Sequence, residues 1–226
     1  MLEPKIRLKD MIYMAIAGVF ILIVVAVINY GMTDKIVFDE KHPQAQQSLQ
    51  PINGDFKIGN DNAPVQLVFY GDYACHHCMR FISKNFEKLR DKYIIPGKVL
   101  FIFRPVISLK RSLYGSKFLF CDKRADGENA DIFFHIFENK WMMKDDYLNA
   151  LMKLAVQRNW STKEHFLNCI NSKEIEKNLH HMYETTVKKL NIHETPHIFI
   201  NQRPVTADES IFAMLDREYR LLDSKK

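Results

Sequence analysis

Four consecutive residues, Cys75-His76-His77-Cys78, carry the densest reactive chemistry in the sequence. Two thiols separated by two residues can close into a small disulfide ring and open again by exchange with another thiol. The segment follows an apolar run, Val65–Tyr70 (VQLVFY), that predicts a strand. It opens a helix predicted over 74–93, where Met79, Ile82, Phe86, Leu89 and Tyr93 fall at three- and four-residue steps. A cysteine at a helix start meets unsatisfied backbone N–H groups and the positive end of the dipole, and both favour a thiolate. Cys75 is therefore the predicted nucleophile, and Cys78, one turn inside the helix, the resolving thiol. An imidazole from His76 or His77 would further stabilise the thiolate, and a lowered thiol pKa makes the disulfide a stronger oxidant. A CxxC alone also suits half of a zinc site or a structural bridge. His76 and His77 cannot easily turn inward together with both thiols from one turn, and His180 and His181 lie far off in sequence. No metal or cofactor is predicted.

The elements around this motif must bring a second surface to it. Pro96-Gly97 breaks the first helix, and Val99–Phe103 (VLFIF) predicts another buried strand. A helical stretch follows over about 109–190, with one apolar stripe at Tyr147, Leu148, Leu151, Leu154 and Ala155. A second stripe runs through Ile175, Leu179, Met182, Tyr183 and Leu190. Ser161 with Glu164, and Asn171 with Glu174, have capping-box spacing. The chain then returns to β structure at His197–Ile200, turns at Asn201-Gln202, and continues in an edge strand over Arg203–Val205. Thr206 and Glu209 are candidate caps of a last helix with Ile211, Leu215, Tyr219 and Leu222 on one face. Just before the third strand stands Thr195-Pro196. An X-Pro bond is where a cis peptide is accessible. In the cis form the Thr195 backbone could pair with an extended peptide beside the thiols; the alternative is a trans proline ending the preceding helix. The order β-α-β, helices, β-β-α predicts an α/β domain with one sheet covered by helices on both faces.

Met11–Tyr30 contains 18 apolar residues in 20 and no charge, a helix of about 30 Å, long enough to cross a bilayer core. Lys5, Arg7 and Lys9 precede it, and Asp34, Asp39 and Glu40 follow, so residues 1–10 are predicted in the cytoplasm and the remainder outside. Residues 11–30 are read either as an uncleaved anchor or as a cleaved signal peptide with its site near Val24-Val25-Ala26. Residues 31–54 are polar and aperiodic, a flexible tether or a docked extended arm, and the globular domain is placed at 55–226. Among the 226 residues, 32 Lys+Arg interleave with 27 Asp+Glu for a formal charge of +5, which makes nucleic acid a poor candidate partner. Four cysteines are too few for a disulfide-dense scaffold.

With both motifs on the page, 59–205 resembles the DsbA-like thiol:disulfide oxidoreductases of the thioredoxin superfamily. The likeness rests on GNDNAPVQLVFYGDYACHHC (59–78) and ETPHIFINQRPV (194–205), at opposite ends of a helical block. It implies a thioredoxin fold with a helical subdomain inserted at about 106–190, a redox pair Cys75–Cys78, and a cis proline at Pro196 with Thr195 in the substrate-binding loop. It further implies reduced or unfolded exported proteins as substrates. The implied re-oxidant is a quinone-linked membrane partner of the DsbB type. The implied location is the bacterial inner membrane, with the domain in the periplasm, or free in the periplasm after cleavage. A reductase or isomerase on the same scaffold, for example in cytochrome c maturation, and a non-catalytic envelope protein with a structural bridge are the rival readings. His77 matches the histidine before the second Cys in relatives, whereas His76 replaces their commoner proline. Phe69 stands where many relatives carry a buried acid six residues before the first Cys, and Asp72 lies nearer the thiols. Some relatives have a second cysteine pair in the insertion, which implies a bridge Cys121–Cys169; the alternative is two separate buried thiols.

Overall fold

The strand that leads to the cysteines is built to be central. In the computed structural model β2 (Val65–Gly71) is buried at six of its seven positions. It pairs in parallel with β3 (Val99–Pro105) and antiparallel with β4 (His197–Ile200). β1 (Phe56–Ile58) and β5 (Arg203–Pro204) complete a five-stranded sheet in the order β1-β3-β2-β4-β5. The residues described are 49–52, 55–121, 133, 136, 137, 147–157, 162–206 and 210–224. The apolar segment Met11–Tyr30 and the tether as far as residue 48 lie outside them. Among the described residues no helix is long and apolar enough to cross a membrane.

α1 (His76–Leu89) turns Cys78, Ile82, Phe86 and Leu89 onto the sheet; of the predicted stripe, Ile82, Phe86 and Leu89 are buried on it and Met79 is half-buried. It passes into a π-helical turn, Arg90–Ile94, and stops at Gly97, whose φ of +70° favours glycine. On this side of the sheet Phe69, Phe101 and Phe103 stack with Phe86, Phe133 and Phe137 at centroid separations of 5.0–6.3 Å. Gly71 ends β2 against this cluster: a Cβ there would overlap the Phe69 ring and meet Phe103 at 3.1 Å.

Alternate strand residues face the other side. There the Arg104 guanidinium, with no exposed surface, grips Asp55 through two bonds of 2.8 Å. It also donates to the Tyr70 hydroxyl at 2.9 Å and to the Gln50 carbonyl at 2.6 Å. Leu49 is buried. Leu49 and Gln50, within the expected tether, are thus held against the domain.

The insertion contains α2 (Lys110–Cys121), α3 (Tyr147–Gln157), α4 (Lys163–Ile170) and α5 (Lys173–Met182). Phe118 packs on Phe166 at 5.4 Å, and Cys121 is bonded to Cys169. The caps fall one residue later than the predicted boxes: Thr162 accepts from the His165 N–H, and Ser172 from the Glu174 N–H. A second π-helical turn, Tyr183–Val187, follows α5. Its wider turn advances the buried face to Thr186 and Val187 and leaves Tyr183 exposed, unlike the predicted stripe. α6 (Ile211–Asp223) starts after Ser210 and buries Ile211, Met214 and Leu215. Tyr219, expected on that face, lies outward under Lys98 Nζ at 5.2 Å.

Candidate active site

β2 delivers its chain to the thiols through a turn held by Asp72. The Cys75 N–H donates to the Asp72 carbonyl at 3.0 Å, and the Ala74 N–H to the Asp72 carboxylate at 2.6 Å. Cys75 is the residue that caps α1, with extended backbone (φ −86°, ψ 119°), and its Sγ accepts from the Cys78 N–H at 3.3 Å. A cap residue normally offers an oxygen to these orphan amides; here a sulfur takes that place. On its other side the Cys75 thiol donates to the Thr195 carbonyl at 3.3 Å.

Both cysteines are free, and they are unequal. Cys75 is half-buried, whereas Cys78 has no exposed surface. Burial pushes the Cys78 thiol well above its ordinary value, and the neighbouring Cys75 sulfur adds to the shift. A backbone hydrogen bond from Asp72 and a side-chain hydrogen bond from Thr195 pull the other way. The sulfur that can be reached from solvent is therefore the first, and the second is kept as a neutral thiol.

Pro196 follows Thr195 in a cis peptide bond. The Thr195 carbonyl accepts from the Cys75 thiol, and the Thr195 side chain favours the charged form of Cys78 against burial. β4 and its hairpin fix this loop. Asn201 and Gln202 both adopt positive φ, 45° and 71°, forming a two-residue turn without glycine. Asn201 also ties the hairpin to β2 through Gln66, at 2.9 Å and 3.0 Å. A groove of about 740 Å³ lies beside Pro196, walled by Phe81, His197, Val205, Ile211 and Phe212.

The structure gathers Cys75, Cys78, Thr195 and Pro196 at one point and places the Cys121–Cys169 bond in the insertion. His76 and His77 are exposed on the first turn of α1. Among the described residues neither donates a hydrogen bond to a cysteine sulfur; the partners of the Cys75 sulfur are backbone groups. Phe69 fills the position of the absent acid with an apolar ring, 5.3 Å from Phe81. His197 follows Pro196 and is not among the predicted site residues. Its ring lies 5.0 Å from Phe199, its buried Nε2 has no partner among the described residues, and burial lowers its pKa against a smaller opposing effect of Glu194. Among the described residues no three His, Cys, Asp or Glu side chains converge as a metal site.

Known proteins resemble this arrangement. The model of a family described as thioredoxin matches residues 52–216. Disulfide bond formation protein D of Bacillus subtilis is 28% identical over 170 residues, covering 70% of this chain and 73% of that one. A Rickettsia prowazekii protein named as a protein-disulfide oxidoreductase is 25% identical over 182 residues, and the match covers 76% of this chain. The chain spans 65% of that relative's length. Among solved structures, Wolbachia pipientis α-DsbA1 superposes with a TM-score of 0.70 at 24% identity, over 80% of this chain and 98% of its own. Oxidised BdbD of Bacillus subtilis gives 0.65 at 25% identity, over 75% and 95%.

Proposed function

The chain belongs to the thioredoxin family, and from that footing we propose that it is a thiol:disulfide oxidoreductase that donates disulfide bonds to exported proteins through Cys75 and Cys78. The observation that carries the reading is the asymmetry of the pair: an accessible Cys75 sulfur on the first turn of α1, backed by a buried Cys78 thiol held neutral.

The reaction starts from the oxidised pair. A substrate thiolate attacks Cys75 Sγ, the Cys75–Cys78 bond breaks, and the Cys78 sulfur leaves and takes up a proton. A mixed disulfide now joins the substrate to Cys75. A second substrate thiolate attacks the substrate sulfur of that bond, and Cys75 leaves. Two electrons and two protons have passed from the substrate dithiol to Cys75 and Cys78. The groove beside Pro196 offers apolar walls to an extended, unfolded segment, which suits a substrate that has not yet folded.

The reduced pair then needs a two-electron acceptor. On the family resemblance this is a quinone-linked membrane partner of the DsbB type. The apolar, uncharged segment Met11–Tyr30 supports attachment to the bacterial inner membrane with the domain in the periplasm. The Cys121–Cys169 bond supports an oxidising compartment, where such bonds persist.

Equilibration with glutathione buffers, read by the fraction of Cys75–Cys78 disulfide, gives the potential of the couple. A donor is expected well above the roughly −270 mV of thioredoxin. It should also restore activity to a reduced, unfolded ribonuclease in stoichiometric amounts. A potential at or below that of thioredoxin would reverse the direction and favour the reductase reading.

A further inference from the structure

Asp72 is a buried carboxylate, 3% exposed, that the exchange steps above do not use. Four donors surround it. The Ala74 N–H and the Ser112 hydroxyl meet Oδ1 at 2.6 and 2.5 Å. The Ser108 N–H meets Oδ2 at 3.1 Å, and the Ser108 hydroxyl donates to the same oxygen. Ser108 follows β3 and Ser112 lies in the first turn of α2, 36 and 40 residues along the chain. With this many donors the carboxylate is occupied, so it is poorly placed to shuttle protons. Its backbone, however, holds the first cysteine: the carbonyl accepts from the Cys75 N–H at 3.0 Å, and the Cys75 sulfur in turn accepts from the Cys78 N–H at 3.3 Å.

We propose that Asp72 is a positioning residue for the redox pair: pinned by Ser108 and Ser112, it holds the backbone that seats both thiols in the reduced state and thereby makes the disulfide easier to reduce. This inference rests on the oxidoreductase reading above. The reduced pair depends on hydrogen bonds to hold its two sulfurs, whereas in the oxidised pair a covalent bond holds them. Loosening the Asp72 clasp therefore weakens the reduced form more than the oxidised form. The clasp also fastens the redox loop to the insertion through α2, so the inserted helices contribute to the potential without touching a sulfur.

The test uses Asp72→Asn, Ser112→Ala, Ser108→Ala and Ser108→Thr in the full chain, equilibrated with glutathione buffers and melted in both redox states. In Asp72→Asn one of the amide-facing oxygens becomes an NH₂ group, which repels the backbone N–H it faces. The equilibrium constant is expected to move at least tenfold toward the disulfide form, about 30 mV for this two-electron couple. The melting temperature should fall further in the reduced than in the oxidised state. Ser112→Ala should shift the constant at least threefold in the same direction. Ser108→Ala should follow it, and Ser108→Thr, which keeps the hydroxyl, should stay within twofold of the wild type. Should Asp72→Asn not fold, the serine variants carry the test, since Ser108 is exposed. Phe166→Leu, which loosens the insertion at Phe118, controls for general destabilisation and should lower both melting temperatures alike. Constants within twofold of wild type for Asp72→Asn and Ser112→Ala, with equal melting losses in both redox states, would reduce the clasp to a structural role and overturn the inference. A wild-type pair that does not exchange with glutathione at all would instead remove the oxidoreductase reading, and the inference with it.

Discussion

Asp55→Ala offers a quantitative test of how the chain ahead of the sheet is held. The Asp55 and Arg104 side chains have no exposed surface and meet through two 2.8 Å bonds. Burial opposes the charge on Arg104, and the bonds to Asp55 and Tyr70 outweigh it, so the guanidinium stays ionised. Removing the carboxylate takes away the only anion shown paired with the buried guanidinium among the described residues, although the Tyr70 hydroxyl and the Gln50 carbonyl still accept from it. Breaking a buried pair in this way costs about 3–5 kcal/mol. For a domain of this size each kcal/mol lowers the melting temperature by about 2–4 °C, so a fall of about 6–20 °C is expected. Arg104→Met added to Asp55→Ala removes the stranded charge and should recover at least about 2 kcal/mol, measured as coupling in a double-mutant cycle. Urea unfolding of the oxidised protein, followed by circular dichroism, gives the energies. Limited proteolysis reports whether 49–52 come loose first. A loss under about 1 kcal/mol for Asp55→Ala, or a double variant no better than the sum of the singles, would refute the reasoning, because either result means that water reaches the guanidinium.

Two further outcomes follow from the cysteines. A raised Cys78 thiol keeps its proton in the folded state where the unfolded chain loses it, so its contribution to stability is complete below the ordinary value of 9.0 and drains as pH rises above that. Reduced wild type should therefore lose stability relative to reduced Cys78→Ser between about pH 8 and about pH 10, with a slope of up to about 1.4 kcal/mol per pH unit, and iodoacetamide at neutral pH should label Cys75 alone; equal labelling of both thiols in the folded protein would contradict this. Replacing Cys121 and Cys169 together by Ala opens a bridge across 48 residues and should lower stability by at most about 4 kcal/mol while thiol exchange at Cys75 persists; lost exchange with unchanged melting would contradict it.

The parts of this fold legible in the sequence are those encoded by neighbours. β2, β3 and α1 announce themselves through apolar runs and a helical stripe, and the cysteines sit where β2 ends and α1 begins. Other features depend on partners distant in the chain. β1 is three residues with Lys57 at its centre and becomes a strand only because Phe103, Ile102 and Phe101 lie opposite. The tether looked polar and aperiodic, yet Gln50 near its end is captured, with Asp55 at the start of the domain, by an arginine 54 and 49 residues away. Asp72 could be seen near the thiols, but not the two serines that orient it. The π-helical turns leave no signature in a 3.6-residue pattern, and the stripe through Tyr183 failed where one of them begins.

The buried Cys78 thiol also bears on the direction of exchange. Once a mixed disulfide has formed at Cys75, two thiols compete to attack it: Cys78, which would return the enzyme to its starting point, and the second substrate thiol, which completes the transfer. Attack needs a thiolate. Burial keeps Cys78 protonated, so the backward step is starved of nucleophile while an exposed substrate thiol is not. The same burial would make Cys78 a poor leaving group in the first step, where a thiolate must depart. That penalty is reduced locally, because the Asp72 backbone and the Thr195 side chain both hydrogen-bond its sulfur in favour of the charged form. Burial still outweighs these bonds, so charge on Cys78 is disfavoured both when it leaves and when it attacks. An exposed, ionised substrate thiol therefore competes well with Cys78 for the mixed disulfide, which supports the donor reading proposed above.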